Sequence, residues 1–366
     1  MKVYKRLFWI LAVLPLLFVA CDKGGEQTPP DPDPNGQTEQ PGDETPGGNT
    51  HSGYWDVQRG KIVRPVPGTD AGWTSSTVMD GITYYAYSGT DEISGVAQKV
   101  FVIDADMSKT GYKAIVTLSK SDVTSNIHKS HNAIATINAG YESGSIFCRV
   151  DGVNQYLIQN TTIGDTGQDN WKSEGAFFIN STGQPGMVFV GSPKRDGVVT
   201  GIKGGTYANA CKLQRKYYMA MDKTEYPYII SSAPSMIDDF EPIGLNFCDY
   251  GISDSAANAL NSENLEHHQR VRHPRTAVGL TEDNHLIMMV VDGRRTSRKG
   301  MSCRELTQFM IKWFNPQYAL NLDGGGSSTM CVRGLGDDRN VVNSPIQDGE
   351  SGKERARDTH IMIVPK

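Results

Sequence analysis

The sequence has no surplus of positive charge, no C-x-x-C pair and, beyond its first twenty residues, no apolar run long enough to cross a bilayer. With 36 Lys and Arg against 41 Asp and Glu the formal charge is −5, so no broad basic face can neutralise a nucleic-acid backbone, and nucleic acid is excluded as a partner. Setting Cys21 apart, the five remaining cysteines are Cys148, Cys211, Cys248, Cys303 and Cys331. Their odd number and scattered spacing exclude a zinc ribbon and a fully paired disulfide framework; one or two disulfides stay open, and at least one thiol is left over. The lysine of a G-x-x-x-x-G-K-[ST] loop is missing, as are the G-x-S-x-G nucleophile elbow and the HExxH zinc pattern.

What is present begins with an export signal. MKVYKRLFWILAVLPLLFVA places Lys2, Lys5 and Arg6 ahead of an apolar run too short for a lone spanning helix. Cys21 follows Ala20 directly and resembles the lipidated cysteine of a bacterial lipoprotein. Residues 21–53, dense in Pro, Gly, Asp and Glu, read as a disordered tether. The folded body is expected over 54–366, and together these features place the protein in a bacterial cell envelope, held to the membrane through an N-terminal lipid.

Within the body, short apolar runs bounded by turn residues predict strands, as in KVFVIDADM (99–107), YKAIVTLS (112–119) and GAFFIN (175–180). RTAVGL (275–280) and HLIMMVVDG (285–293) flank the polar residues 281–284 as the arms of a hairpin. The clearest helix is MSCRELTQFMIKWFN: Leu306, Phe309, Met310, Trp313 and Phe314 form one stripe, Ser302 and Glu305 make a capping box, and Pro316 stops it. The strand that follows, YALNLDGG, ends on Asp323. The expected fold class is α+β, a single globular domain of mixed, mostly antiparallel sheets with a few packed helices.

The stretch NLDGGGSSTM (321–330) carries the chemistry. Three glycines at a strand end let a ligand approach the backbone, successive N–H groups form a concave anion site, and hydroxyls add donors. Phosphate or phosphodiester is the natural guest of Gly324, Gly325, Gly326, Ser327, Ser328 and Thr329. A carboxylate beside such a cradle is electrostatically costly unless it serves as an acid, a base or a metal ligand, which makes Asp323 the principal catalytic candidate.

Read as an ordered set, I-N-A-G-Y (137–141), R-T-A-V-G (275–279), V-D-G-R-x-x-S-x-K-G-M-S (291–302), A-L-N-L-D-G-G-G-S-S-T-M (319–330) and the late E-R-A-R (354–357) resemble the phosphodiester glycosidase family. The resemblance is strongest over 273–363, weaker around 134–142 and 175–180, and absent before about residue 80. It implies hydrolysis of a sugar-1-phosphodiester at the anomeric carbon, giving free sugar and a phosphomonoester, with a phosphorylated glycan as substrate. Carried over by residue, it makes Asp323 and Asp292 the catalytic carboxylates, with base and nucleophile roles open. It adds Asn138, Gly140, Arg275, Arg294, Asn321, Asn343 and Arg355 to the phosphate- and substrate-binding set. The chain departs from the family pattern at Tyr141-Glu142 and in the polar run after Arg355.

Plainer roles compete with several of these. Asp292-Gly293 would serve as a hairpin turn, Asn138 as a partner for backbone groups, Arg275 as a structural ion-pair residue, and Glu354, Arg355 and Arg357 as a solvated face. His267, His268 and His273 lack metal-ligand spacing and read as a charged loop, while His128 and His131 share a helix face without a third ligand. No cofactor is required, and acidic turns neither favour nor forbid a calcium ion. Two other functions stay open: a phosphodiesterase that breaks the P–O bond, and a non-catalytic surface lipoprotein that captures phosphoglycans.

Overall fold

A computed structural model describes residues 58–190, 207–243 and 253–366; the export signal, Cys21, the tether and Cys248 lie outside them. The fold is α+β. Its largest sheet has seven strands in the order Trp73–Met79, Ile82–Asp91, Val96–Asp106, His285–Val291, Arg275–Leu280, Tyr318–Asn321 and Ser235–Ile237. A four-stranded sheet runs Met330–Val332, Ala135–Asn138, Arg357–Pro365, Tyr112–Asp122, and a five-stranded sheet is built from Pro185–Phe189, Gly175–Ile179, Tyr228–Ser232, Cys148–Val150 and Val153–Tyr156. All pairs in these sheets are antiparallel.

The expected hairpin forms with Arg275 opposite Val291 and Leu280 opposite Leu286. Its arms are continuously apolar because both faces of the large sheet are covered. Strand side chains alternate faces, so Val278, Leu286, Met288 and Val290 enter one core together with Ile137, Phe177, Ile230 and Ile361 of the smaller sheets. Ala277, Ile287, Met289 and Val291 point the other way, onto Leu306, Phe309, Met310 and Phe314. These last four belong to the helix Cys303–Phe314. Both halves of its capping box are made: Ser302 Oγ accepts from Glu305 N at 3.2 Å, and Glu305 Oε2 from Ser302 N at 2.9 Å. The helix stops at Asn315, whose left-handed conformation precedes Pro316.

The strand after this helix positions the site. Tyr318–Asn321 pairs with Arg275–Leu280, and the chain then leaves the sheet through successive backbone bonds from Leu322 N to Thr276 O, Asp323 N to Ala139 O and Gly325 N to Pro274 O, each 2.8–2.9 Å. By Met330 it has joined the four-stranded sheet, against Ile137. The glycine turn is thus the crossing between two sheets, where strands ending at Asn138, Val291 and Asn321 meet strands beginning at Arg275 and Arg357.

The described cysteines Cys148, Cys211, Cys303 and Cys331 are all buried free thiols.

Candidate active site

Asp323 sits at this crossing, only 7% exposed, with its Oδ2 2.5 Å from Arg357 Nη2. Its backbone is fixed from both sides. Asp323 N donates to Ala139 O, and the Asp323 carbonyl accepts from Asn138 Nδ2 at 2.7 Å. Asn138 Oδ1 takes a hydrogen bond from Thr276 Oγ1 at 2.9 Å and another from Thr329 N at 3.1 Å. The side chain of Asn138 therefore ties three segments together behind the carboxylate, the plainer of the roles considered for it. Gly140 is also structural: its N donates to Thr359 Oγ1 at 3.0 Å, and a methyl group there would lie 2.6 Å from Ile146 Cδ1.

The glycine turn needs its glycines where arginines approach. Gly325 has φ +62, and a methyl group on it would stand 3.0 Å from Arg294 Nη2. At Gly326 the methyl would meet Gln347 Oε1 at 2.5 Å and Arg355 Nη2 at 2.8 Å. Two guanidinium groups thus close on consecutive residues of the turn. Arg294 is exposed along much of its length and itself has φ +60. Desolvation, then repulsion from Arg355 and Arg275, lowers its pKa below the usual arginine value. Arg355 donates from Nε to Gln347 Oε1 at 2.5 Å. Among the described residues neither arginine is paired with a carboxylate.

Arg275 is different. It is 1% exposed and spends its donors on carbonyls: Nε to Met301 at 2.8 Å, Nη2 to His268 at 2.6 Å and to Val271 at 2.9 Å. Expected as a phosphate ligand, it is a buried clamp on the segments around it, with only Nη1 unpartnered among the described residues. Ser327, Ser328 and Thr329, expected as hydroxyl donors to the ligand, are wholly buried, and their hydroxyl oxygens have no described partner. The accessible part of the turn is Gly325, flanked by Arg294 and Arg355. Asn321 donates from Nδ2 to Ala233 O and Leu322 O at 2.8 and 2.7 Å, holding the turn's approach from inside.

Asp292, the expected second catalytic carboxylate, lies behind the turn, linked to its backbone through Asn343. It is 2% exposed, and its Oδ1 accepts from Asn343 Nδ2 at 3.1 Å and Ser344 N at 3.0 Å, with Arg298 Nε 3.3 Å from Oδ2. Burial raises its pKa. Asn343 also donates to Ser328 O and accepts from Met330 N, so Asp292 grips the segment that backs the turn. Its open side faces a cleft of about 340 Å³ walled by Tyr87, Lys99, Phe101 and Arg298, and neither Asp323 nor Gly324 to Gly326 lines that cleft. A glycosidase carboxylate pair must flank one bond, and the partner that the structure gives Asp323 is an arginine.

Arg357 is the site residue that sequence reasoning passed over as a solvated face. Its signal was faint but present: it stands four residues ahead of the apolar run that begins at Ile361, and the strand it starts is antiparallel to the one ending at Asn138. Glu354 is not solvated either; it is buried, accepting from Ser125 N at 2.9 Å and Ser125 Oγ at 2.6 Å, with Arg339 3.3 Å away. The histidine cluster is corrected as well. His267 and His268 lie in the helix Leu265–Arg270; His268 packs on Trp171 at 4.4 Å, and burial drives its pKa well down. Burial, with Arg275 beside it, holds His273 at about 2, so neither is charged at neutral pH. Among the described residues no group of three or more His, Cys, Asp or Glu is arranged to hold a metal.

Comparison with known proteins places the chain in a family. Residues 131–364 match the profile described as phosphodiester glycosidase. Over 60 residues the chain is 40% identical to N-acetylglucosamine-1-phosphodiester alpha-N-acetylglucosaminidase of Bos taurus, covering 16% of this chain and 11% of that protein. Among solved structures, the catalytic domain of the zebrafish N-acetylglucosamine-1-phosphodiester alpha-N-acetylglucosaminidase, auto-inhibited by its pro-peptide, superposes with a TM-score of 0.50 at 16% identity, over 84% of this chain and 87% of that one. That likeness is one of fold. A protein from Synechocystis has a TM-score of 0.47 at 14% identity, over 81% and 64% of the two chains.

Proposed function

Because this chain belongs to the phosphodiester glycosidase family and is a hydrolase of that kind, we propose that it cleaves a sugar-1-phosphodiester in a phosphorylated glycan at the anomeric carbon, with Asp323 as its one catalytic carboxylate. Water adds to the anomeric carbon, the bond from that carbon to the bridging oxygen breaks, and the oxygen leaves with the phosphate. The products are a free sugar and a phosphomonoester.

The observation that supports this reading is the placement of a buried carboxylate beside two arginines without carboxylate partners at one glycine turn. Bond breaking makes an oxocarbenium-like centre that a carboxylate stabilises. Phosphate leaves readily once its charge is neutralised, so Arg294 and Arg355 take the part of a general acid by electrostatics. Arg357 holds the Asp323 side chain in place, and Asn138 holds its backbone. Asp292 and Arg275 keep the surrounding segments in position. Lipidation at Cys21 would keep the enzyme on the cell envelope, within reach of surface glycans.

Reaction in ¹⁸O-labelled water tests the bond cleaved. Label in the released sugar supports the reading; label in the phosphate would replace it with P–O cleavage, and no turnover of any sugar-1-phosphodiester would leave a binding protein.

A further inference from the structure

The charge count at the turn goes further than binding a phosphodiester. Arg275, Arg294, Arg355 and Arg357 surround it, and Asp323 is the one carboxylate among them, which leaves a formal surplus of three positive charges. The acids on neighbouring elements are committed elsewhere: Asp292 to Arg298, Glu354 to Ser125 and Arg339, Asp358 to Tyr156, and Asp348 to Lys353. His273, which faces Arg275 and Arg294, is held neutral by burial. Tyr141 stays protonated, with burial and then Asp323 raising its pKa.

A phosphodiester brings one negative charge to this surplus. A phosphomonoester, with a second pKa near 6, brings about 1.5 to 2 at pH 7 and three terminal oxygens in place of two. Resting on the reading above, we infer that the turn is matched to a phosphoryl dianion, so that the enzyme holds its phosphomonoester product more tightly than its substrate and is competitively inhibited by it. Arg294 and Arg355, on adjacent residues of the turn and free of carboxylate partners among the described residues, each take one face of the dianion. At fixed geometry a second charge a few ångströms from guanidinium groups is worth about tenfold or more in affinity.

Calorimetry on the folded chain with methyl phosphate and dimethyl phosphate tests this. Methyl phosphate should bind about tenfold or more tightly than dimethyl phosphate at about pH 7.5. Its affinity should fall about tenfold towards pH 5 as the dianion is protonated, while dimethyl phosphate stays flat. Arg355→Gln and Arg294→Gln should each shrink the preference. Equal affinities with turnover of a sugar-1-phosphodiester intact would overturn the inference and leave the glycosidase reading standing. Absence of both binding and turnover would overturn the two together.

Discussion

The carboxylate of Asp323 and the guanidinium of Arg357 meet at 2.5 Å although they are delivered by different sheets. Asp323 follows the strand Tyr318–Asn321 of the seven-stranded sheet, and Arg357 opens the strand Arg357–Pro365 of the four-stranded one. The pair therefore reports on how the two sheets dock. Replacing Arg357 by Gln should lower kcat about a hundredfold, because the carboxylate loses the cation that holds it by charge. KM should change little, and Arg357→Lys should recover part of the rate. A rise in KM with kcat intact would show that Arg357 binds substrate and does not position the acid.

Gly325 and Gly326 test the turn itself. Gly325→Ala must hold an alanine at φ +62 and push Arg294 aside, and Gly326→Ala must displace Gln347 and Arg355. Each should cost about 1–2 kcal/mol of stability and a larger factor in kcat/KM. Thermal unfolding and steady-state kinetics on the same samples separate the two effects. Full activity in both variants would mean that no ligand sits against the turn.

Asp292→Asn separates a structural carboxylate from a catalytic one. The amide is isosteric and its oxygen can still accept from Asn343 Nδ2 and Ser344 N, but its NH2 then faces Arg298 Nε, a donor against a donor in place of an ion pair. A stability loss of about 1–3 kcal/mol with kcat within about tenfold of the parent is the expected result. A thousandfold loss of kcat in a folded variant would restore Asp292 to the chemistry.

Glu174 gives a pH signature outside the site. It is buried, accepts from Ser235 N, and burial pushes its carboxyl up to about 8. With a folded-state pKa above the unfolded value near 4.3, the folded chain holds a proton that the unfolded chain has released. Stability from this group is complete below about pH 4.3 and is lost as the pH climbs to about 8, by a few kcal/mol in all. Glu174→Gln carries no such titration. Its melting temperature relative to the parent should rise over that window and level off above it; a constant offset would show that Glu174 is ionised in the folded chain.

The elements legible in the sequence were those with local signals. The capping box of Ser302 and Glu305, the apolar stripe from Leu306 to Phe314 and the hairpin 275–291 are written in spacing alone, and all three form. The glycine turn stood out because a carboxylate stands directly before three consecutive glycines at a strand end. What spacing could not convey was direction. Asp292 was expected as a second carboxylate beside Asp323, each following an apolar strand, but Asp292 lies against Arg298, Asn343 and Ser344 while Asp323 lies against Arg357. Arg275 and Arg357 both head strands, yet one is spent on three carbonyls and the other faces the acid. Such differences depend on contacts between segments tens of residues apart, as between Asp323 and Arg357 or Asp292 and Asn343, and leave no trace in a local pattern.

The central claim is that Asp323 breaks the glycosidic bond, and its most direct test is sugar release from a sugar-1-phosphodiester by Asp323→Asn. The variant should keep the parent's thermal unfolding within a few degrees and still bind methyl phosphate through Arg294 and Arg355. Its kcat should fall about a thousandfold, the range spanned by a positioned carboxylate. A folded Asp323→Asn protein that releases sugar at the parent rate would contradict the account.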